Sequence, residues 1–247
     1  MTDSVPGRNP TYSVANSLGV EIVTGVYSKD NRIPVEATLC LQYEASRSVV
    51  REAVKMLGAK RLVGSRPRRG TWVRPEEFWN LLDPDVLGWL LERKFSPALL
   101  IEFTELRLAV EPGAAALAAR SAGAEQRAAI RGAIERMQVA DHGDDDPLES
   151  DIAFHVAVLR ASCNRFYAQL AGFSTAALRF SIRVANRYPS GRLASIADHK
   201  KVADAIIAGR SAAAGEAMRK RIQGVLDLIG RREALQGARR SSANASR

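Results

Sequence analysis

Only one stretch of this 247-residue chain carries strand-like residues: Leu62-Val63 and Thr71-Trp72-Val73, joined by the basic turn Arg66-Pro67-Arg68-Arg69-Gly70. On both sides of it apolar residues recur at helical spacing, so the chain is expected to be mainly α with a single hairpin. Upstream, Val14, Leu18, Ile22 and Val26 predict a first helix over residues 14–27. A turn at Lys29-Asp30-Asn31 and an extended Ile33-Pro34 lead to a short second helix around Leu39-Cys40-Leu41. Ser46 is placed to cap a third helix from Arg47 to about Leu57, with Val49, Val50, Ala53, Val54 and Leu57 on its inner face. Three helices followed at once by a hairpin with a basic tip make a winged helix-turn-helix, expected over residues 11–75.

Downstream, residues 76–83 read as a linker, and 84–235 read as an all-helical antiparallel bundle. Helices are predicted over Pro84–Glu92, Pro97–Arg120, Ala124–Asp141, Pro147–Ala161, Arg165–Arg187, Leu193–Ala208 and Ala212–Leu235. Breakers separate them at Ser96-Pro97, Gly123, Gly143, Pro147, Pro189-Ser190-Gly191 and Gly209. Residues 1–10 and 236–247 are polar and expected to be disordered. No apolar run is long enough to span a membrane, and residues 1–10 lack the apolar core of a secretory signal. The two cysteines, Cys40 and Cys163, lie far apart without metal-type spacing, which suits a reducing cytoplasm.

Charge is uneven along the chain. Residues 1–75 carry a balance of +6, residues 76–218 of −3 and residues 219–247 of +6. A basic head that coincides with a winged helix-turn-helix points to nucleic-acid phosphates. Arg47 and Arg51 stand one turn apart on the third helix, opposite its apolar stripe, where long donors reach base edges in a major groove. Ser46 and Ser48 flank Arg47 at the start of that helix, and Arg68, Arg69 and Gly70 suit a wing approaching the DNA backbone.

In the helical region, Asp151 and His155 share one face at i, i+4 with Leu148, Ile152 and Leu159, so both point inward. His199 lies on the inner stripe with Val202, Ala203 and Ile206. A carboxylate and two imidazoles converging in a bundle suit a divalent transition metal, and hydrogen-bonded core histidines are the alternative. Arg107 and Arg221 also fall on apolar stripes. Each needs a buried partner, either a protein carboxylate such as Glu111 or an anionic ligand.

The string Ile33-Pro34-x-Glu36, Ser46-Arg47-x-x-Val50-Arg51-Glu52-Ala53, Leu62-Val63 and Arg69-Gly70-Thr71-x-Val73 resembles the GntR superfamily of bacterial regulators, with Ala37 where that family usually has Arg. Glu105-x-Arg107-x-x-x-Glu111-Pro112-x-Ala114-Ala115, Asp151-x-x-Phe154-His155 and Asp198-His199 resemble the FCD ligand domain of its FadR-like branch. The stretch Trp79-Asn80-Leu81-Leu82-Asp83-Pro84-Asp85-Val86-Leu87-x-Trp89 is similar to that of galactonate-operon repressors within the branch. The resemblance implies that Asp151, His155 and His199 ligate a metal and that Arg107 receives an effector carboxylate. It also implies a fourth ligand, the His of a Met-x-x-His motif, which is replaced here in Met218-Arg219-Lys220-Arg221.

The expectation is therefore a homodimeric transcriptional regulator, a repressor by family habit, and not an enzyme. It would bind a near-palindromic double-stranded operator and be released by a small organic acid, a sugar acid such as an aldonate. Arg107, Arg221, Arg183 and Asn186 form the expected effector set. Asp151, His155 and His199 would hold a divalent ion, zinc before manganese, nickel or magnesium. The rival readings are a metal-dependent hydrolase or lyase and a DNA-binding dimer without a ligand.

Overall fold

Local capping decides where most elements of this protein begin. The computed structural model describes residues 9–66, 70–94, 96–187 and 195–245, with the side chains at 182–187 and 231–245 outside that description. Its contacts divide the chain into two units, Met1–Lys94 and Phe95–Arg247.

In the first unit, the Asn9 side chain accepts the Thr11 amide and Pro10 opens α1 (Pro10–Val23). This helix stops short of the expected Tyr27. The Thr24 hydroxyl turns back to the Val20 carbonyl at 2.7 Å, and the Asn31 amide donates to Val26 at 2.6 Å, tying 24–31 into a turn. Next come α2 (Glu36–Gln42) and α3 (Arg47–Ala59), the latter capped by Ser46, whose hydroxyl accepts the Val49 amide. Strands β1 (Val63–Arg66) and β2 (Gly70–Val73) pair antiparallel, with Val63 opposite Val73 and Gly64 opposite Trp72. Leu18, Ile22, Leu39, Val50, Ala53, Leu57 and Leu62 are among the buried residues of this unit. The expected three-helix unit with its hairpin is the one formed.

The boundary lies later than residues 76–83. Glu76–Phe78 form a 3-10 turn, and α4 (Pro84–Leu90) belongs to the first unit. Trp79 donates from its indole to the Arg74 carbonyl at 2.8 Å. Asp83 caps α4 and, with Asp85, holds Lys60 at 2.7–2.8 Å, while Tyr12 donates to Asp85 at 2.8 Å. Trp89 donates to Asn16 at 2.9 Å, and a Cβ on Gly19 would fall 2.6 Å from its ring. The Trp79–Trp89 string thus has a packing role: it fastens α4 to α1.

The second unit contains α5 (Pro97–Ser121), α6 (Ala124–Asp141), α7 (Pro147–Ala161), α8 (Arg165–Gln169), α9 (Ala171–Arg187), α10 (Ile196–Ile207) and α11 (Ser211–Ala245). The single helix expected over 165–187 is divided at Leu170, with Asn164 capping the short first piece. Helix α11 runs through Ala245, past residue 235, where a disordered tail was expected; Ala, Arg and Gln, all good helix formers, make up six of the ten residues from Gln236 to Ala245. Gly215 lets α11 lie against α5, since a Cβ there would stand 3.2 Å from the Pro112 carbonyl oxygen. Ile130, Phe154, Val158, Val202, Ile206, Met218 and Ile222 form the core between the helices. Among the described residues, no helix is long and apolar enough to cross a membrane.

Candidate functional site

The first unit offers an exposed cationic helix end. Ser46, Arg47 and Ser48 are exposed at the start of α3, and the hydroxyls of Ser46 and Ser48 lie 2.9 Å apart. Because Val50, Ala53 and Leu57 face the core, Arg47 and Arg51 face solvent. Arg51, with a side chain 65% exposed, donates from Nε to Glu36 at 2.7 Å. Gly70 opens β2 with φ of +78°, a left-handed conformation that a side chain rarely adopts. Arg68 and Arg69 lie outside the described residues. Arg183 and Asn186 sit on α9, but their side chains are likewise outside the described set.

The second unit brings Arg107, Glu111, Asp151, His155, Ser174, His199 and Arg221 together, and all seven are buried. They come from α5, α7, α9, α10 and α11, each turned inward by its apolar stripe. Arg107 forks onto Glu111, with Nε 2.7 Å from Oε1 and Nη2 3.3 Å from Oε2. Glu111 also meets His155 Nδ1 at 2.6 Å and accepts the Ser174 hydroxyl at 2.9 Å. On the other side, Arg221 Nη2 donates to Asp151 Oδ1 at 3.0 Å and Arg221 Nε donates to His199 Nε2 at 2.5 Å. Phe154 stands edge-on to both imidazoles, at centroid distances of 5.5 and 4.9 Å.

Proton positions follow from the partners. Burial alone would push both carboxyls upward. The Arg107 charge and the His155 contact outweigh it for Glu111, and the Arg221 charge and the His199 contact do so for Asp151, so both are held well below the usual carboxylate range. Burial drives the His155 pKa down to about 4, against the opposing pull of Glu111, and drives His199 down too with help from Arg221. Both imidazoles are neutral at pH 7. An ionised Glu111 only accepts, so His155 carries its proton on Nδ1; the Ser195 carbonyl, 2.8 Å from His199 Nδ1, fixes that ring likewise. Each His therefore presents an Nε2 lone pair toward Asp151, His155 at 3.7 Å and His199 at 2.8 Å.

Those two nitrogens and a carboxylate oxygen lie within 4.8 Å of one another, the donor set of a three-ligand metal site. His155 Nε2 is buried without a hydrogen-bond partner, and such an orphaned acceptor fits a metal ion as its missing partner. The sequence reading had Arg107, Arg221, Asp151, His155 and His199 as inward-facing, and Glu111 as one partner open to Arg107. It missed Ser174 and Ser195, whose only signal is a small polar residue at a helical inner position or cap.

Comparisons with known proteins agree with this layout. The family described as bacterial regulatory proteins, gntR family, matches residues 10–73, and the FCD domain matches residues 102–224. The galactonate operon transcriptional repressor of Escherichia coli K12 is 39% identical over 163 residues, which are 66% of this chain and 71% of that protein. The uncharacterized HTH-type regulator YieP of the same organism is 34% identical over 166 residues, 66% of this chain and 72% of that one. The solved structure of Lar from Listeria monocytogenes shares the fold, with a TM-score of 0.57 at 16% identity over 92% of this chain and 99% of that one. With a winged helix-turn-helix ahead of a metal-type cluster in an FCD domain, the chain belongs to the GntR family and is a DNA-binding transcriptional regulator, not an enzyme.

Proposed function

We propose that this regulator represses a sugar-acid catabolic operon, binds a near-palindromic operator as a homodimer, and leaves it when a small hydroxy-carboxylate such as an aldonate enters the helical unit. The observation that carries the effector reading is the pair of guanidinium groups, Arg107 and Arg221, buried beside two neutral imidazoles. A planar fork of donors matches a carboxylate better than any other side chain does. The identity to a galactonate operon repressor favours an aldonate among organic acids. Asp151, His155 and His199 would hold a divalent ion, zinc first, then manganese, nickel or magnesium. Such an ion would supply a Lewis-acidic charge that attracts the oxygens of a 2-hydroxy acid. Arg183 and Asn186 of α9 complete the proposed effector set.

On DNA, Ser46, Arg47, Ser48 and Arg51 enter a major groove from the start of α3, while Arg68, Arg69 and Gly70 approach the backbone from the wing. Two copies related by a two-fold axis read two half-sites. Within the helical unit, Arg107 and Arg221 already have carboxylate partners, so an incoming carboxylate must exchange with Glu111 or Asp151. Such an exchange shifts contacts that join α5, α7, α10 and α11, and a ligand can move an equilibrium only through differences of this kind. The same pairing favours a second reading, in which the helical unit only joins two copies and takes no ligand.

Selection of operators from random duplexes, followed by anisotropy titrations, separates the two. Galactonate is expected to lower operator affinity and neutral galactose to leave it unchanged. Arg107→Lys keeps a cation for Glu111 but loses the fork, so it should blunt the response at unaltered operator affinity. Equal action by the neutral sugar, or no effect from a panel of hydroxy acids, would overturn the effector reading in favour of the second.

A further inference from the structure

The FCD cluster contains a contact that its ligand set does not explain. His199 Nε2 and Asp151 Oδ1 stand 2.8 Å apart. His199 Nδ1 faces the Ser195 carbonyl, and Arg221 points an N–H at each of the two atoms; a guanidinium only donates, so both atoms act as acceptors. Two lone pairs at that distance repel unless a cation lies against both. Arg221 supplies it, donating from Nε to one and from Nη2 to the other. The third acceptor, His155 Nε2, lies 3.7 Å from the same Asp151 oxygen and is left without a partner. One planar fork reaches two of the three converging lone pairs; a divalent ion would reach all three.

Charge follows the same pattern. Two arginines paired with two carboxylates balance each other inside the cluster. A divalent ion added with Arg221 still in place would bring an unbalanced double charge among buried side chains, at a large desolvation penalty. Withdrawal of Arg221 removes half of that excess and uncovers both acceptors. The residue also lines a cavity of about 410 Å³ with the ion pairs Lys201–Asp198 and Lys220–Glu216, so a displaced guanidinium has space to enter.

We propose that Arg221 is the resident cation of this cluster, so that its guanidinium and a divalent metal ion compete for Asp151 and His199. Arg221 thereby holds the ligand set in place without metal and weakens the site for metal. The proposal rests on the ligand set named under the proposed function and is independent of which effector binds. It predicts something unusual, that deleting a buried hydrogen-bonding residue strengthens binding of an ion.

The test is calorimetric titration of chelator-stripped full chain with zinc and, separately, manganese, for the natural protein, Arg221→Met and Arg221→His. Displacing a buried ion pair weakens binding by several kcal/mol, so Arg221→Met should bind metal about a hundredfold more tightly than the natural chain. Arg221→His should bind more tightly still, as a fourth ligand. Adding His199→Ala to Arg221→Met should abolish the gain. Thermal melting provides a second readout. The natural protein should melt at the same temperature with or without chelator, whereas Arg221→Met should melt lower when stripped and recover with metal. Should Arg221→Met fold only with metal present, that dependence itself supports the proposal, and Arg221→His supplies the affinity. Equal or tighter metal binding by the natural chain would overturn it and make Arg221 a bystander. Failure of every variant to bind metal would overturn both this proposal and the ligand set, leaving the effector reading to the anisotropy titrations.

Discussion

Arginine occupies two opposite environments in this chain. On α3, Arg47 and Arg51 lie on the solvent side of a helix whose other side is core, and Arg51 rests on a half-exposed Glu36. In the FCD unit, Arg107 and Arg221 are buried, each against a buried carboxylate. At the surface, water solvates the guanidinium, a neighbouring carboxylate adds little, and the charge stays available to a polyanion. In the interior, the same charge can exist only with its partner, and removing that partner leaves an uncompensated ion. On the proposed reading, the surface arginines act when DNA arrives, whereas the buried ones are part of the fold before any ligand is present.

The largest effect should come from breaking the buried side. Glu111→Ala removes the acceptor of Arg107, His155 and Ser174 at once, and should destabilise the helical unit by about 3–5 kcal/mol in denaturant unfolding. A loss below about 1 kcal/mol would mean that water replaces the carboxylate and that the site is not sealed. On the exposed side, Arg47→Ala should lower operator affinity by about 1–3 kcal/mol and relax specificity at one base pair. Its melting temperature should match the natural protein; a shift in melting would show that Arg47 has a structural partner after all.

A smaller effect tests the joint between α1 and α4. Gly19→Ala puts a methyl group 2.6 Å from the Trp89 ring, an overpacking that costs about 1–3 kcal/mol. Better helix propensity offsets about 1 kcal/mol of it. The net loss should therefore be modest and confined to the first unit, as read by unfolding of a fragment-resolved signal such as tryptophan fluorescence. No loss would show that α4 yields freely. Smallest of all, Glu36→Gln should leave stability nearly unchanged while freeing Arg51, so operator affinity should rise slightly and its salt dependence steepen. Weaker operator binding by this variant would mean that Glu36 positions Arg51 for DNA and does not compete for it.

Much of this was legible in order along the chain. Ser46 as a cap, the stripe Val50-Ala53-Leu57 and the paired strands define the winged unit from local chemistry, and α6 and α7 begin and end where their breakers said. Asp151, His155 and His199 were readable as inward-facing because each rides on an apolar stripe. The divide between the units was not readable. Pro84 marks the start of a helix whatever it packs on, and only the contacts of Trp89 and Asp85 with α1 assign α4 to the first unit. The break at Leu170 was hidden too, since residues on both sides of it suit a helix.

What the sequence determined by itself is the set of helices, the hairpin and the faces that turn inward, because caps, periodicity and turn residues act over a few residues. What only the tertiary structure decided is which charge meets which. Arg107 could have waited for a ligand, and Arg221 could have stood apart from the metal-type residues. Their pairing with Glu111 and Asp151 depends on where α5, α7 and α11 cross, and it is forced by the cost of leaving any buried ion alone.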